Sequence, residues 1–134
     1  MESARLSAIP VFAALTEEER AAVAEVAYEV EAAAGERIAE QGDFGYALYA
    51  IESGTASVSI EGSAVRTLGP GDVFGEIAVL SSGRRTASVE AVTPLRMIAL
   101  FKRDVWALER NVPSAAEHLR ALIAERRDTT EASA

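Results

Sequence analysis

Hydrophobic and polar positions change rhythm twice along the chain. Near the start, Val23, Val26, Ala27 and Val30 recur at i, i+3, i+4 and i+7, the spacing of one helix face. Thr16-Glu17-Glu18-Glu19 precedes them as a capping box, a Thr N-cap with Glu three residues on. Upstream, Ile9-Pro10-Val11-Phe12 is a short apolar entry that reads as a turn of helix packed on the core. From Tyr28 the pattern turns to alternation, so helix gives way to strand in Tyr28-Glu29-Val30-Glu31-Ala32. Thr55 to Glu61 alternates most cleanly, with Ala56, Val58 and Ile60 on one face. Further strands are expected at Arg37 to Glu40, Tyr46 to Glu52, Val65 to Leu68, Arg85 to Val92 and Leu95 to Leu100. Helical spacing then returns in Arg103 to Arg110, with Val105, Trp106 and Leu108. After Asn111-Val112-Pro113 a last helix is expected, opened by a second capping box at Ser114-Ala115-Ala116-Glu117 and carrying Leu119, Leu122 and Ile123 to Arg126-Arg127. Asp128 to Ala134 reads as a polar, frayed tail, and Trp106 and Tyr49 as core aromatics.

The glycines fix the boundaries of this pattern. All nine lie between Gly35 and Gly83, so a turn-rich middle is flanked by two glycine-free helical segments. Turn signals recur at Gly35, Gly42-Asp43, Gly54, Glu61-Gly62, Gly69-Pro70-Gly71-Asp72, Gly83 and Thr93-Pro94. Short strands at that pitch imply a sandwich, jelly roll or barrel. The expected layout is one domain over 1–134: N-terminal helices over 1–27, strands over 28–100, C-terminal helices over 101–127 and a tail over 128–134.

Composition narrows the chemistry. There are no Cys and one His in 134 residues, so disulfides, thiolate nucleophiles and multi-histidine metal sites are excluded, and neither a metal nor a cofactor is expected. Lys+Arg is 13 against 21 Asp+Glu, a formal net charge of −8, which is a poor basis for wrapping DNA or RNA. No apolar run approaches the ~20 residues of a membrane span. Met1-Glu2-Ser3-Ala4-Arg5 lacks the apolar core of a signal peptide, so a cytoplasmic protein is expected, or a part on the cytoplasmic face of a membrane protein.

One stretch breaks the strand rhythm: Phe74-Gly75-Glu76-Ile77-Ala78, an apolar piece to Leu80, Ser81-Ser82-Gly83, then Arg84-Arg85-Thr86-Ala87-Ser88. It makes sense as an anion site. The N-terminus of a short helix offers free N–H groups, and Gly75 allows a ligand close to the backbone. Arg85, opening the next strand, brings a fork of donors suited to phosphate. It shares parity with Ala87, Val89 and Ala91, which points it inward, and a buried Arg needs an anionic partner. Arg84, on the opposite parity, is expected in solvent. Glu76 would repel a phosphate unless it accepts from hydroxyls instead, so a ligand with a phosphate and a sugar hydroxyl close together satisfies both residues.

Gly75-Glu76-Ile77-Ala78, six residues, then Arg85-Thr86-Ala87 resembles the phosphate-binding cassette of the cyclic nucleotide-binding domain family. Ala34-Gly35-Glu36, Glu40-Gln41-Gly42-Asp43, Leu48-Tyr49 with Ser53-Gly54, and Leu68 to Phe74 are similar to that family's framework, so the resemblance covers residues 9–127. It implies a mainly β fold with flanking helices: an eight-stranded antiparallel β-roll, with a short phosphate-binding helix in a cassette over 74–88 and two C-terminal helices. It implies that Arg85 binds the cyclic phosphate and Glu76 the ribose 2′-hydroxyl. Backbone around Phe74, Gly75, Ile77, Ala78 and Thr86 would complete the cradle, and Val58 would touch the base. Pro113 to Arg127 is similar to the lid helix of a bacterial cyclic-nucleotide-regulated potassium channel, where an Arg caps the base; the matching position is Arg120. Two departures stand out. Many members have Pro where this chain has Arg84, and Thr86 sits where Thr often accompanies cGMP and Ala or Ser cAMP.

The implied function is a non-catalytic sensor that binds a cyclic nucleotide, cAMP or cGMP with cAMP ranked first, and moves its C-terminal helix against an effector domain or partner protein. The alternative is a degenerate fold serving as a structural or interaction module without nucleotide. Only 34 residues follow Leu100, and hinge and lid use them, which leaves this chain no helix-turn-helix. His118 lies beside Leu119 without the companions a catalytic His needs.

Overall fold

In the computed structural model, residues 1–75 and 84–133 are described, 126–133 by backbone alone. The chain enters through three helices, α1 (Ser3–Leu6), α2 (Pro10–Ala13) and α3 (Glu17–Val26). Eight strands follow: β1 (Tyr28–Ala32), β2 (Arg37–Ala39), β3 (Ala47–Ser53), β4 (Ala56–Ile60), β5 (Ser63–Leu68), β6 (Val73–Phe74), β7 (Ser88–Ala91) and β8 (Leu95–Phe101). Two helices close the chain, α4 (Lys102–Asn111) and α5 (Pro113–Ser133). The strands form two four-stranded antiparallel sheets, ordered β1-β8-β3-β6 and β2-β7-β4-β5. This is the expected mainly β roll with flanking helices. The short helix expected after Gly75 lies outside the described residues. Among the described residues no helix is long and apolar enough to cross a membrane.

Alternation along β3 and β8 builds two cores on opposite faces of one sheet. Leu48, Ala50, Ile98 and Leu100 face the helices, where they join Leu6, Phe12, Val23, Leu119 and Ile123. Their neighbours Ile51, Leu95 and Met97 face the roll interior, with Ala56, Val58, Phe74, Val89 and Ala91. Because side chains alternate with period two, a one-residue slip of β8 would exchange these sets, so burial on both faces fixes the register. The turn between β3 and β4 needs Gly54, whose φ is +93° and where an added Cβ would lie 2.2 Å from the Pro94 carbonyl oxygen.

The N-terminal capping box forms as expected: Thr16 Oγ1 accepts from the Glu19 N–H (3.1 Å), and Glu19 Oε1 from the Thr16 N–H (2.9 Å). Four expectations are corrected. The last helix starts at Pro113, so Ser114 is inside its first turn rather than its cap; proline lacks an N–H and has its φ preset, which suits the first helical position. That helix runs to Ser133, past 127, since neither Gly nor Pro interrupts it. Strand β7 begins at Ser88 rather than Arg85, because backbone groups of Arg85 bond a turn instead of a ladder. Trp106 is 48% exposed: Val105 and Leu108 carry the buried face of α4, and Trp106 falls on the other side.

Candidate functional site

Arg85 is fixed from several sides. Its N–H donates to the Asp43 carbonyl at 2.6 Å, and its own carbonyl accepts from the Gly42 N–H at 2.9 Å. Its guanidinium Nη2 donates to the Ala47 carbonyl at 3.1 Å. Neighbouring Arg84 reinforces the same turn, donating from Nη1 to the Gly42 carbonyl (2.7 Å) with its guanidinium 4.5 Å from the Phe44 ring centroid. Arg84 is exposed, as parity indicated, and Arg85 half-buried. The turn over 42–47 is thus a mould for the arginine.

Gly75 lies directly against that guanidinium. Its φ is +82°, and a Cβ there would lie 2.4 Å from the Ala47 oxygen and 2.9 Å from Arg85 Nη1. Only glycine accepts both the left-handed backbone and the close approach. Phe74, immediately before, is buried and stacks on Tyr49 with ring centroids 5.1 Å apart, so the entry to the cassette is anchored in the roll core. Val58 is buried on β4 and faces the same interior, opposite Val89. Thr86 is exposed beside Arg85. Glu76, Ile77 and Ala78 lie outside the described residues. What is present is a half-buried cation with planar donors, beside a glycine whose backbone is bare, at the edge of an apolar interior. That set suits a small anion carrying an apolar body.

A family model for the cyclic nucleotide-binding domain matches residues 29–111. The chain belongs to that family. The matched span runs from β1 to the end of α4 and so contains Val58, Gly75 and Arg85. Among relatives, the cyclic AMP receptor protein of Thermus thermophilus is 43% identical over 97 residues, which are 69% of this chain and 45% of that protein. The cAMP-dependent protein kinase regulatory subunit of Emericella nidulans is 38% identical over 115 residues, 81% of this chain and 28% of that protein. The chain thus spans less than half the length of these two relatives. A crystal structure of the N-terminal domain of a transcriptional regulator from Streptomyces coelicolor A3(2) superposes with a TM-score of 0.79 at 28% identity, covering 94% of each chain.

In this cyclic nucleotide-binding domain the last helix packs on other helices. Ala115, Ala116, Leu119 and Ile123 of α5 are buried in the helical core, and its neighbours are α2, α3 and α4. Arg120, at the edge of that stripe, forms an ion pair with Glu109 of α4. Two residues before it, His118 Nδ1 lies 2.7 Å from Glu19 Oε1 of α3, tying the two ends of the chain together. The Glu19 carboxyl is held below its usual range, first by the Thr16 N–H and then by His118. A groove of about 670 Å³ on the sheet face opposite Val58 is lined by Ser57, Ser59 and Glu90 among others, and it reaches Gly42 of the turn that holds Arg85.

The turn over 42–47 was visible in the sequence as Gly42-Asp43, but not that it grips Arg85. Nothing local signals Ala47, whose contribution is a backbone oxygen. Glu109 and Glu19 read as ordinary helix acids, because their partners are brought to them by the packing of α5.

Proposed function

We propose that this domain is a non-catalytic sensor that binds a cyclic nucleotide in the roll, cAMP in preference to cGMP, and signals by shifting α5. The observation that carries the reading is the Arg85 guanidinium held against Gly75 by the Ala47 carbonyl. A cyclic phosphate there would accept from the Arg85 guanidinium, a charge-assisted arrangement. The apolar interior behind it, with Val58, would take the purine. Glu76 would accept from the ribose 2′-hydroxyl, and Thr86 would lie beside the phosphate. The match to the cyclic nucleotide-binding family supports the ligand class, and both relatives named above carry cAMP in their names. The output would pass to an effector domain or partner protein through α5, with no DNA or RNA contact by this chain.

Calorimetric titration of cAMP and cGMP into the native chain and Arg85→Ala tests this. Micromolar or tighter binding is expected for the native chain, with cAMP ahead, and a loss of at least ~30-fold in the variant, since removing a partner of a charged ligand group costs about 2–5 kcal/mol. Trp106 is the only tryptophan and sits half-exposed on α4, so its emission should change as α5 moves. A native chain that binds neither nucleotide would overturn the reading.

A further inference from the structure

Resting on that reading, we infer that Glu109 sets the domain's nucleotide affinity by competing with the ligand for Arg120. Glu109 lies in the last turn of α4 and Arg120 in the second turn of α5, with Val112 alone between the helices. Their side chains form an ion pair on the solvent side of the helical bundle, 40% and 34% exposed. The neighbours of α5 in this arrangement are α2, α3 and α4, and its buried stripe points into their core. The guanidinium is therefore directed at α4, and to cap a base in the roll it would have to leave Glu109. The carboxylate thus stabilises the arrangement in which the cap is withheld. A ligand shifts such an equilibrium only by its differential affinity for the two states, so whatever stabilises the uncapped state weakens apparent binding.

The partial exposure of both groups makes this adjustable. Exposed ion pairs contribute little, and salt screens them. Glu109 therefore tunes affinity by a small factor and does not lock the domain. It is a positioning residue that acts through Arg120. Its effect should be absent wherever Arg120 is absent.

The test is a double-mutant cycle read by cAMP calorimetry on the native chain, Glu109→Ala, Arg120→Ala and the double variant, with thermal melts confirming that all four fold. Glu109→Ala is expected to tighten cAMP binding two- to five-fold at low salt, with the gain shrinking in 0.5 M NaCl. The gain should vanish in the Arg120→Ala background, and Glu109→Asp should restore an affinity near the native one. Without nucleotide, the Trp106 emission of Glu109→Ala should move toward the liganded spectrum. Unchanged or weaker binding in Glu109→Ala overturns the inference, as does an equal gain with and without Arg120. If the native chain binds cAMP and Arg85→Ala does not, such a result removes only the role of Glu109. If the native chain binds no cyclic nucleotide, the sensor reading falls with it.

Discussion

Arg85 and Arg120, the two cations that the proposed reading gives to one ligand, are held in different ways. Arg85 is set by main chain: its N–H, its carbonyl and its guanidinium all bond backbone groups of the turn over 42–47. Arg120 is set by a side-chain ion pair at the surface, on a helix whose partners are other helices. Backbone contacts inside a folded turn do not exchange without unfolding it. An exposed ion pair exchanges readily, at a cost of about 0.2–1 kcal/mol. On the proposed reading, the phosphate end would be assembled in advance and the lid end poised. A sensor needs both kinds of attachment, because a site made wholly of the first would not move and one made wholly of the second would not recognise.

The comparison can be broken most severely at the lid end. Leu119 is fully buried in the helical core, so Leu119→Ala should lower stability by about 2–5 kcal/mol in urea unfolding. It should leave the Arg85–Asp43 turn intact, since that turn belongs to the roll. Hydrogen exchange that loosens α5 and the turn equally would show that the two ends are not separable.

Next comes the phosphate end. Gly75→Ala forces a left-handed φ on alanine and drives a Cβ toward the Ala47 oxygen and Arg85 Nη1. A penalty of about 1–3 kcal/mol is expected from the backbone alone, seen as a lower melting temperature. Cyclic nucleotide affinity should fall as well, because the guanidinium must move. A variant with native melting and native affinity would show that the close packing here does not matter.

The smallest effect concerns the seam between α3 and α5. Glu19 has its carboxyl pKa lowered, by the Thr16 N–H first and His118 second, with burial opposing. A lowered folded value means that the carboxylate contributes stability above its unfolded pKa and loses it as pH falls through the folded one. The melting temperature should therefore decline between about pH 5 and pH 3, and more gently in Glu19→Gln than in the native chain. Parallel declines in the two proteins would remove Glu19 from the account.

Much of the fold was legible because alternation and glycine punctuation are local. Tyr28–Ala32 was read with its observed ends, and Thr55 to Glu61 brackets β4 within a residue. The inward aim of Arg85 was reached by extending β7 backward, yet the residue sits before the strand and is turned inward by the loop that holds it. Trp106 was misplaced because size and apolarity do not say which of two adjacent residues, Val105 or Trp106, takes the core side of a helix. The pairs Arg120–Glu109 and His118–Glu19 were not legible at all. They join residues brought together by helix packing, and no spacing in the chain encodes which acid a given cation will meet.

On the proposed reading, the bond from Arg85 to the Ala47 carbonyl has a kinetic consequence. A receptor whose anion-recognising group already has its working orientation needs no rearrangement on encounter. Capture of any compact phosphate diester of similar charge should then proceed at nearly the same rate, whatever base it carries. Discrimination between nucleotides would be written in residence times, governed by how long the helix on the far side stays closed.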